Sequence, residues 1–369
     1  MTEDWLREHI WPQFSRVMAR DEIYLANHSL GRPPDEMFVD IACAIELWYS
    51  EMDGAWDDWL QEVERFQMSI ASLINSRHVV PKASAGQGLR AVLHTYDEKI
   101  NVVTTTGEFD SLDFILRVFE ERGRISVKWC EPSEDALMDA IDDSTDLVVF
   151  SLVMFNDSKI LLRARDVVER THAVGAKALV DVYHAVGVIR VDMVAMGADF
   201  MVGGSYKYMR GGPGASWLAY QDGSLRTLDT GWFAKRDPFE FSRSDEVQWG
   251  QPFLESTPAV LPIYQARAGI EVIKHLGVEN LRAYSLKQQA FLRSAFKHEG
   301  VSCFHPENPE QYGAFSLVRS PNAAEDANRL KKAGVNVDAR ADKIRFCPDI
   351  LNSEQEMVRA AKITAQVLG

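Results

Sequence analysis

Cysteine is scarce. The 369 residues hold four, Cys43, Cys130, Cys303 and Cys347, all far apart. No C-x-x-C pair occurs, so neither a zinc ribbon nor a disulfide framework is encoded, and no metal site is expected. Basic residues are outnumbered, with 40 Lys+Arg against 54 Asp+Glu and a formal charge of −14. Nucleic acids and anionic membrane surfaces reward basic patches, so neither is expected as a partner. No apolar run approaches the roughly 20 residues that a bilayer span needs. The opening Met1-Thr2-Glu3-Asp4-Trp5 is acidic and lacks the basic start and apolar stretch of a signal peptide, which makes a cytoplasmic protein the expectation. Internal repeats and low-complexity tracts are absent as well. What remains, 46% hydrophobic and 25% charged residues, is the balance of a globular chain of about two domains.

The hydrophobic pattern predicts a helix over Asp4–Val17, then an extended passage Tyr24–Pro34, whose Gly31, Pro33 and Pro34 forbid regular helix. Two amphipathic patterns follow. In the second, Trp56, Trp59, Leu60, Val63, Phe66, Ile70, Leu73 and Ile74 recur at helical spacing. From about Arg77 to Tyr220 short β-rich runs (His78–Val80, Asn101–Thr106, Ile125–Cys130, Asp146–Val153, Lys177–Asp181, Asp199–Gly203, Ala215–Tyr220) alternate with helical segments (Gln87–Tyr96, Ser111–Arg122, Glu134–Ile141, Ile160–Val174, Asp192–Met196). Such alternation predicts an α/β fold, a mostly parallel sheet with helices on both faces. After Pro258 two long helical patterns, Ala259–Leu276 and Val278–Glu299, precede short strands and helices: a small α+β C-terminal domain. The expected division is an N-terminal segment 1–50 that packs with the small domain, a large α/β domain 51–257, and the small domain 258–369.

Ligands of such sheets bind beyond the carboxyl ends of the strands. One run, Ala178-Leu179-Val180, ends in Asp181, with His184 three residues on. Another, Phe200-Met201-Val202-Gly203-Gly204, leads into Ser205-Tyr206-Lys207-Tyr208 and a turn through Gly211-Gly212-Pro213-Gly214. Alone, either residue has a plain reading, an aspartate capping a helix or a lysine on a solvated turn. Together at successive strand ends they suit pyridoxal phosphate, which needs a lysine to link to its aldehyde and a carboxylate to keep its ring nitrogen protonated.

At these residues the sequence resembles the fold-type I pyridoxal-phosphate enzymes of the class V aminotransferase group, and within it the kynureninase family, over nearly the whole chain. Asp181-Val182-Tyr183-His184-Ala185-Val186-Gly187 is similar to the family's D-L-A-H-A-x-G, and Ser205-Tyr206-Lys207-Tyr208 to its S-Y-K-Y. Gly231-Trp232-Phe233 matches its G-W-F, Ser256-Thr257-Pro258 resembles the S/G-N/T-P that follows, and Ile344-Arg345 matches a late I-R.

The resemblance implies that Lys207 bonds to the cofactor, that Asp181 pairs with the ring nitrogen and that Phe109 covers the ring. It implies that the amides of Ala85 and Gly86 meet the phosphate, with Ser151, Tyr206 and Ser111 as hydroxyl donors. His184 would lie near the cofactor. Trp232 and Thr257 would reach the site from the partner subunit of a homodimer, and Arg345 would hold the α-carboxylate of a small amino-acid substrate. The implied reaction is hydrolysis of the Cβ–Cγ bond of kynurenine or a related β-acyl amino acid, with Lys207, Asp181 and Tyr206 as catalytic groups. Another reaction of the class V group, by an aminotransferase, β-lyase or epimerase, is the alternative. A non-catalytic homologue would have no reason to keep both Asp181 and Lys207.

This chain also departs from the family's pattern. His28 stands where an asparagine is usual, Leu112 replaces a carboxylate, and Ala85-Gly86 stand where a hydroxyl residue is common. Trp48, Tyr49 and Trp56 are the candidates for an aromatic near the substrate ring.

Overall fold

Strands that carry almost no polar residue cannot have a solvated face, and the sheet is built from such strands. Leu147–Ser151, Phe200–Gly204 and Ser216–Tyr220 are buried at every position in the computed structural model, which describes residues 1–240 and 246–369. Seven strands lie side by side in the order His78–Lys82, Ser216–Tyr220, Phe200–Gly204, Lys177–Asp181, Leu147–Ser151, Ile100–Thr105, Ile125–Cys130. All pairings are parallel except the two made by Ser216–Tyr220, which runs against both neighbours. Two apolar clusters line the faces, one around Val148, Val180 and Met201, the other around Val149, Leu179 and Val202. This is the doubly covered, mostly parallel sheet that the alternating pattern predicts, since buried parallel strands read as continuous apolar runs.

Register brings the functional ends together. Ser151 is the partner of Asp181 across neighbouring strands, and Asp181 is the partner of Val202, five residues before Lys207. The helices start where the sequence supplies caps. Ser84 accepts from the Gln87 N–H at the head of Ala85–Leu93, and Ser133 and Asp192 cap Glu134–Ala140 and Met193–Met196 in the same way. The helix Ala55–Ile74 buries Val63, Phe66, Ile70 and Ile74 along one stripe; each such side chain contributes roughly 1.5–3 kcal/mol of apolar burial.

Four further strands form an antiparallel sheet in the order Asp338–Arg340, Lys343–Phe346, Ser316–Arg319, Cys303–Phe304, backed by Val278–His298, Ala323–Lys332 and Glu354–Leu368. Parts of the N-terminal segment join this part of the molecule, while Leu6, Ile10 and Phe14 pack into the cluster around Val148 and Val180. Ile23–Tyr24 pairs in parallel with Val335–Asn336, the Asn27 side chain donates to the Cys347 carbonyl at 2.8 Å, and the Trp11 indole donates to the Ile350 carbonyl at 2.8 Å. Asp349 receives both Arg32 and Arg210, which ties this segment to the turn after Lys207.

Three elements differ from the pattern. The stretch expected as one helix over Asp4–Val17 is three pieces: Glu3–His9, a 3₁₀ turn Trp11–Phe14 and Ser15–Met18. Pro12 has no N–H to give and ends the first helix upstream. The helix expected from Ile160 starts at Ala164, because Ile160 bridges to Val153 as a short antiparallel pair. The run Val335–Asp338 divides: Val335–Asn336 pairs with the N-terminal segment, while Asp338 begins the strand that pairs with Lys343–Phe346. No helix among the described residues is long and apolar enough to cross a membrane.

Candidate active site

Beyond the carboxyl ends of the parallel strands lies a cavity lined by Ser84, Ala85, Phe109, Ser111, Ser151, Asp181, His184, Tyr206 and Lys207, together with Ala83, Val153, Phe155, Tyr183, Pro213 and Gly214. Each strand end delivers one piece. Lys177–Asp181 ends in the carboxylate, Phe200–Gly204 leads into Tyr206 and Lys207, Leu147–Ser151 ends in the hydroxyl, and Ile100–Thr105 leads to Phe109.

Lys207 is 5% exposed, and its Nζ lies 2.5 Å from Nε2 of His184. It also sits 5.4 Å from the centre of the Phe109 ring and 5.7 Å from those of Tyr183 and Tyr206. Burial drives its pKa below the ordinary lysine value, and Arg345 and Arg340 add to the shift against the pull of Asp181. An amine destined to attack an aldehyde needs this shift, because the protonated form has no lone pair. His184, buried and near that positive charge, is held well below its usual pKa and is neutral. Its Nδ1 has no hydrogen-bond partner among the described residues.

Burial likewise raises the Asp181 carboxyl, opposed by the Tyr183 N–H donated to Oδ1 at 2.8 Å and by Lys207. A carboxylate in this state is stabilised by a cation brought to it, as a protonated ring nitrogen would be. At the other end, Ser84 takes the Gln87 N–H, and the Gly88 N–H goes to the Ser84 carbonyl. The N–H groups of Ala85 and Gly86 are left at the head of the helix, a position that suits a phosphate. The lysine, the opposed carboxylate, the aromatic wall of Phe109, the helix head and the unpartnered His184 Nδ1 together fit pyridoxal phosphate.

Some expected residues lie elsewhere. Gly86 is buried but does not line the cavity; a side chain there would meet Ile115. Trp232 and Thr257 touch each other, indole Nε1 to Oγ1 at 3.3 Å, away from this chain's own cavity lining. Arg345 stands behind the cavity wall, its Nη1 donating to the Phe155 carbonyl at 2.6 Å. His28 is fully buried against the Phe315 ring, and Leu112 faces the core rather than the cavity. Trp48 and Tyr49 are exposed and Trp56 half-buried, and none of the three lines the cavity.

Two carboxylates escaped the sequence reading. Glu108 is buried beside Ser151 and Thr105, which both donate to it at 2.6 Å, and burial pushes its pKa up to about 7. Its place next to Phe109, at the end of a Thr-rich strand, is the signal that would have drawn attention to it. Asp338 binds both His28 and Arg345, seven residues before the arginine on the facing strand.

Known proteins share both the sequence pattern and the fold. The family described as Aminotransferase class-V matches residues 49–356. A kynureninase of Bacillus anthracis is 24% identical, the match covering 94% of this chain and 88% of that protein, and a kynureninase of Deinococcus radiodurans is 25% identical over 88% and 85%. YcbU of Bacillus subtilis, described as an uncharacterized aminotransferase, is 24% identical over 87% and 88%. Among solved structures, the cystine C-S lyase C-DES superposes with a TM-score of 0.83 at 16% identity, covering 96% of this chain and 99% of that one. An apo cysteine desulfurase of Thermococcus onnurineus superposes at 0.80 and 16% identity, over 94% and 95%. With the family pattern spanning most of its length and Lys207 and Asp181 lining one cavity, the chain belongs to the class V aminotransferase family.

Proposed function

We propose that this protein is a pyridoxal-phosphate-dependent hydrolase that cleaves the Cβ–Cγ bond of kynurenine or a related β-acyl amino acid, releasing alanine and an aromatic acid. The observation that carries this reading is the convergence of buried Lys207, Asp181 and His184 with half-buried Tyr206 on one cavity at the strand ends. The choice of reaction is supported by the kynureninases among its relatives and by Gly231-Trp232-Phe233 in the chain itself. Persulfide chemistry is disfavoured, because none of the four cysteines lines the cavity.

When bound, pyridoxal phosphate supplies an electron sink for charge left on substrate carbon. Lys207 would hold the cofactor, and its Nζ, with its depressed pKa, suits taking and returning the substrate α-proton. Asp181 would keep a proton on the ring nitrogen. Phe109 would cover the ring, the Ala85 amide at the helix head with Ser111 would meet the phosphate, with the Gly86 amide behind it, and Arg345, from behind the Phe155 wall, would receive the α-carboxylate. Tyr206, whose ring centre lies 5.7 Å from Lys207 Nζ, would assist proton movement at the substrate carbonyl through its hydroxyl. Water's OH ends on the aromatic acid and its other hydrogen on the alanine. Trp232 and Thr257 complete the site of a second copy, which makes the working form a homodimer.

The test is to mix the yellow holoenzyme, eluting as a dimer, with kynurenine and follow anthranilate fluorescence and alanine release. Lys207→Ala is expected to lose the colour and the release together. Amino transfer to a keto acid with no anthranilate would overturn the hydrolase and favour an aminotransferase, the description that YcbU carries.

A further inference from the structure

The guanidinium assigned to the substrate carboxylate is already gripped from one side. Arg345 is 2% exposed. Its Nε donates to Asp338 Oδ1 at 2.7 Å, its Nη2 to Asp338 Oδ2 at 2.5 Å, and its Nη1 to the Phe155 carbonyl at 2.6 Å. A guanidinium has five N–H groups, so one is left on each terminal nitrogen. Asp338 is itself held. His28, fully buried, places Nε2 at 2.8 Å from Asp338 Oδ1. Burial lowers the His28 pKa to about 4, so the imidazole is neutral and donates its Nε2–H to the aspartate. Burial alone would raise the Asp338 carboxyl, but the hydrogen bonds from His28 and Arg345 and the Arg345 charge outweigh it and keep the group ionised.

This chain of three side chains stands one ring away from His184, the partner of Lys207. Phe315 packs against His28 with ring centres 4.6 Å apart, against His184 at 6.0 Å, and under the Arg345 guanidinium at 5.5 Å. Phe155, whose carbonyl takes Nη1, lines the Lys207 cavity.

We propose that Asp338, fixed in turn by His28, is a positioning residue that turns the Nη1/Nη2 end of Arg345 toward the cavity and so sets the site's preference for an α-carboxylate over an α-carboxamide. The inference rests on the reading of Arg345 as the carboxylate-binding group. Two considerations support it. The Arg345–Asp338 pair has no net formal charge, so long-range attraction does little, and discrimination comes from hydrogen-bond geometry. The two remaining N–H groups match the two oxygens of a carboxylate, whereas an amide sets its own N–H groups against one of them. Free of Asp338, the long arginine side chain regains its rotamers and no longer presents that end.

The test uses the holoenzyme and two probes, L-alanine and L-alaninamide, each titrated by the change in the cofactor's visible absorption. The wild type is expected to bind alanine more tightly. Asp338→Ala is expected to reduce that preference by roughly tenfold or more, the scale of a hydrogen bond to a charged group, with the colour of the unliganded protein unchanged. His28→Ala should reduce it less, and His28→Gln, which keeps an N–H at similar reach, should restore it. A preference within about twofold of wild type in Asp338→Ala overturns the proposal. So does an increase, which would mean that Asp338 competes with the substrate for Arg345. If Asp338→Ala does not accumulate as holoenzyme, an unchanged preference in His28→Ala overturns the proposal instead. Arg345→Ala separates the two readings. A preference that survives in that variant places the carboxylate elsewhere and removes the premise, whereas failure to release anthranilate from kynurenine leaves the alanine measurement intact.

Discussion

Ser151 Oγ donates to Glu108 Oε2 at 2.6 Å, and Ser151 is the strand partner of Asp181. One cavity wall therefore holds two buried carboxyl groups, and they meet different needs. Asp181 lines the cavity, where a cation would keep it ionised; Glu108 is enclosed, with two hydroxyl groups and the neighbouring Asp181 charge. Burial, more than the Asp181 charge, raises its pKa from 4.5 to about 7.

A raised carboxyl pKa makes folding bind a proton, so the stabilisation is complete below the unfolded value and is lost as pH rises through the folded one. The wild type should therefore lose stability from Glu108 between about pH 4.5 and 7. Glu108→Gln, which keeps the shape and never ionises, should lack that part of the decline. The difference between the two proteins should grow with pH to at most roughly 3 kcal/mol, measured by denaturant unfolding across the window. Parallel curves would show that Glu108 is ionised in the fold at no cost.

The sequence makes Asp181 and Lys207 readable because their chemistry and their places after apolar strands coincide, and both facts are local. Glu108 is not readable in the same way: an acidic residue after a strand is usually solvated, and its burial depends on Ser151 from a strand more than forty residues on. Asp338 is hidden for a similar reason. The sequence places it at the end of one short strand, whereas the fold puts it opposite Arg345 in a hairpin, and its second partner, His28, comes from the N-terminal segment. Pro12 was visible, but the hydrophobic spacing around it imitates a continuous helix. Leu112 is explained by position: the helix Asp110–Glu121 turns it into the core, where a carboxylate would be stranded.

Gly31 fixes the N-terminal segment to the catalytic turn. Its N–H donates to the Tyr206 carbonyl at 2.8 Å, and a Cβ at this position would run into the Lys207 carbonyl oxygen, a backbone atom that cannot swing aside. Gly31→Ala must move either this segment or the lysine. The expected cost is about 1–3 kcal/mol of stability, typical of overpacking, together with a lower fraction of protein carrying cofactor. Thermal unfolding and the visible absorption per chain measure the two effects. A variant with normal colour and normal stability would show that the contact relaxes freely.

The cysteines give the sharpest distinction from the fold's sulfur-handling neighbours. A cysteine that accepts sulfur from a substrate must reach the cofactor and be readily deprotonated. Burial pushes the Cys130 thiol up to about 11 and raises those of Cys303 and Cys347 as well. Cys43 is exposed on the helix Glu36–Glu51, outside the cavity lining. Changing Cys43, Cys130 and Cys303 together to alanine should therefore leave cofactor content and kynurenine turnover within about twofold of wild type, since these substitutions touch no reacting group. The Cys347 thiol is packed against Ala314 with its Sγ 3.2 Å from that carbonyl and is shut off from solvent, so it cannot take over the role. A triple variant that keeps its colour but loses turnover would move the chemistry onto a thiol, and the hydrolytic assignment would fall with it.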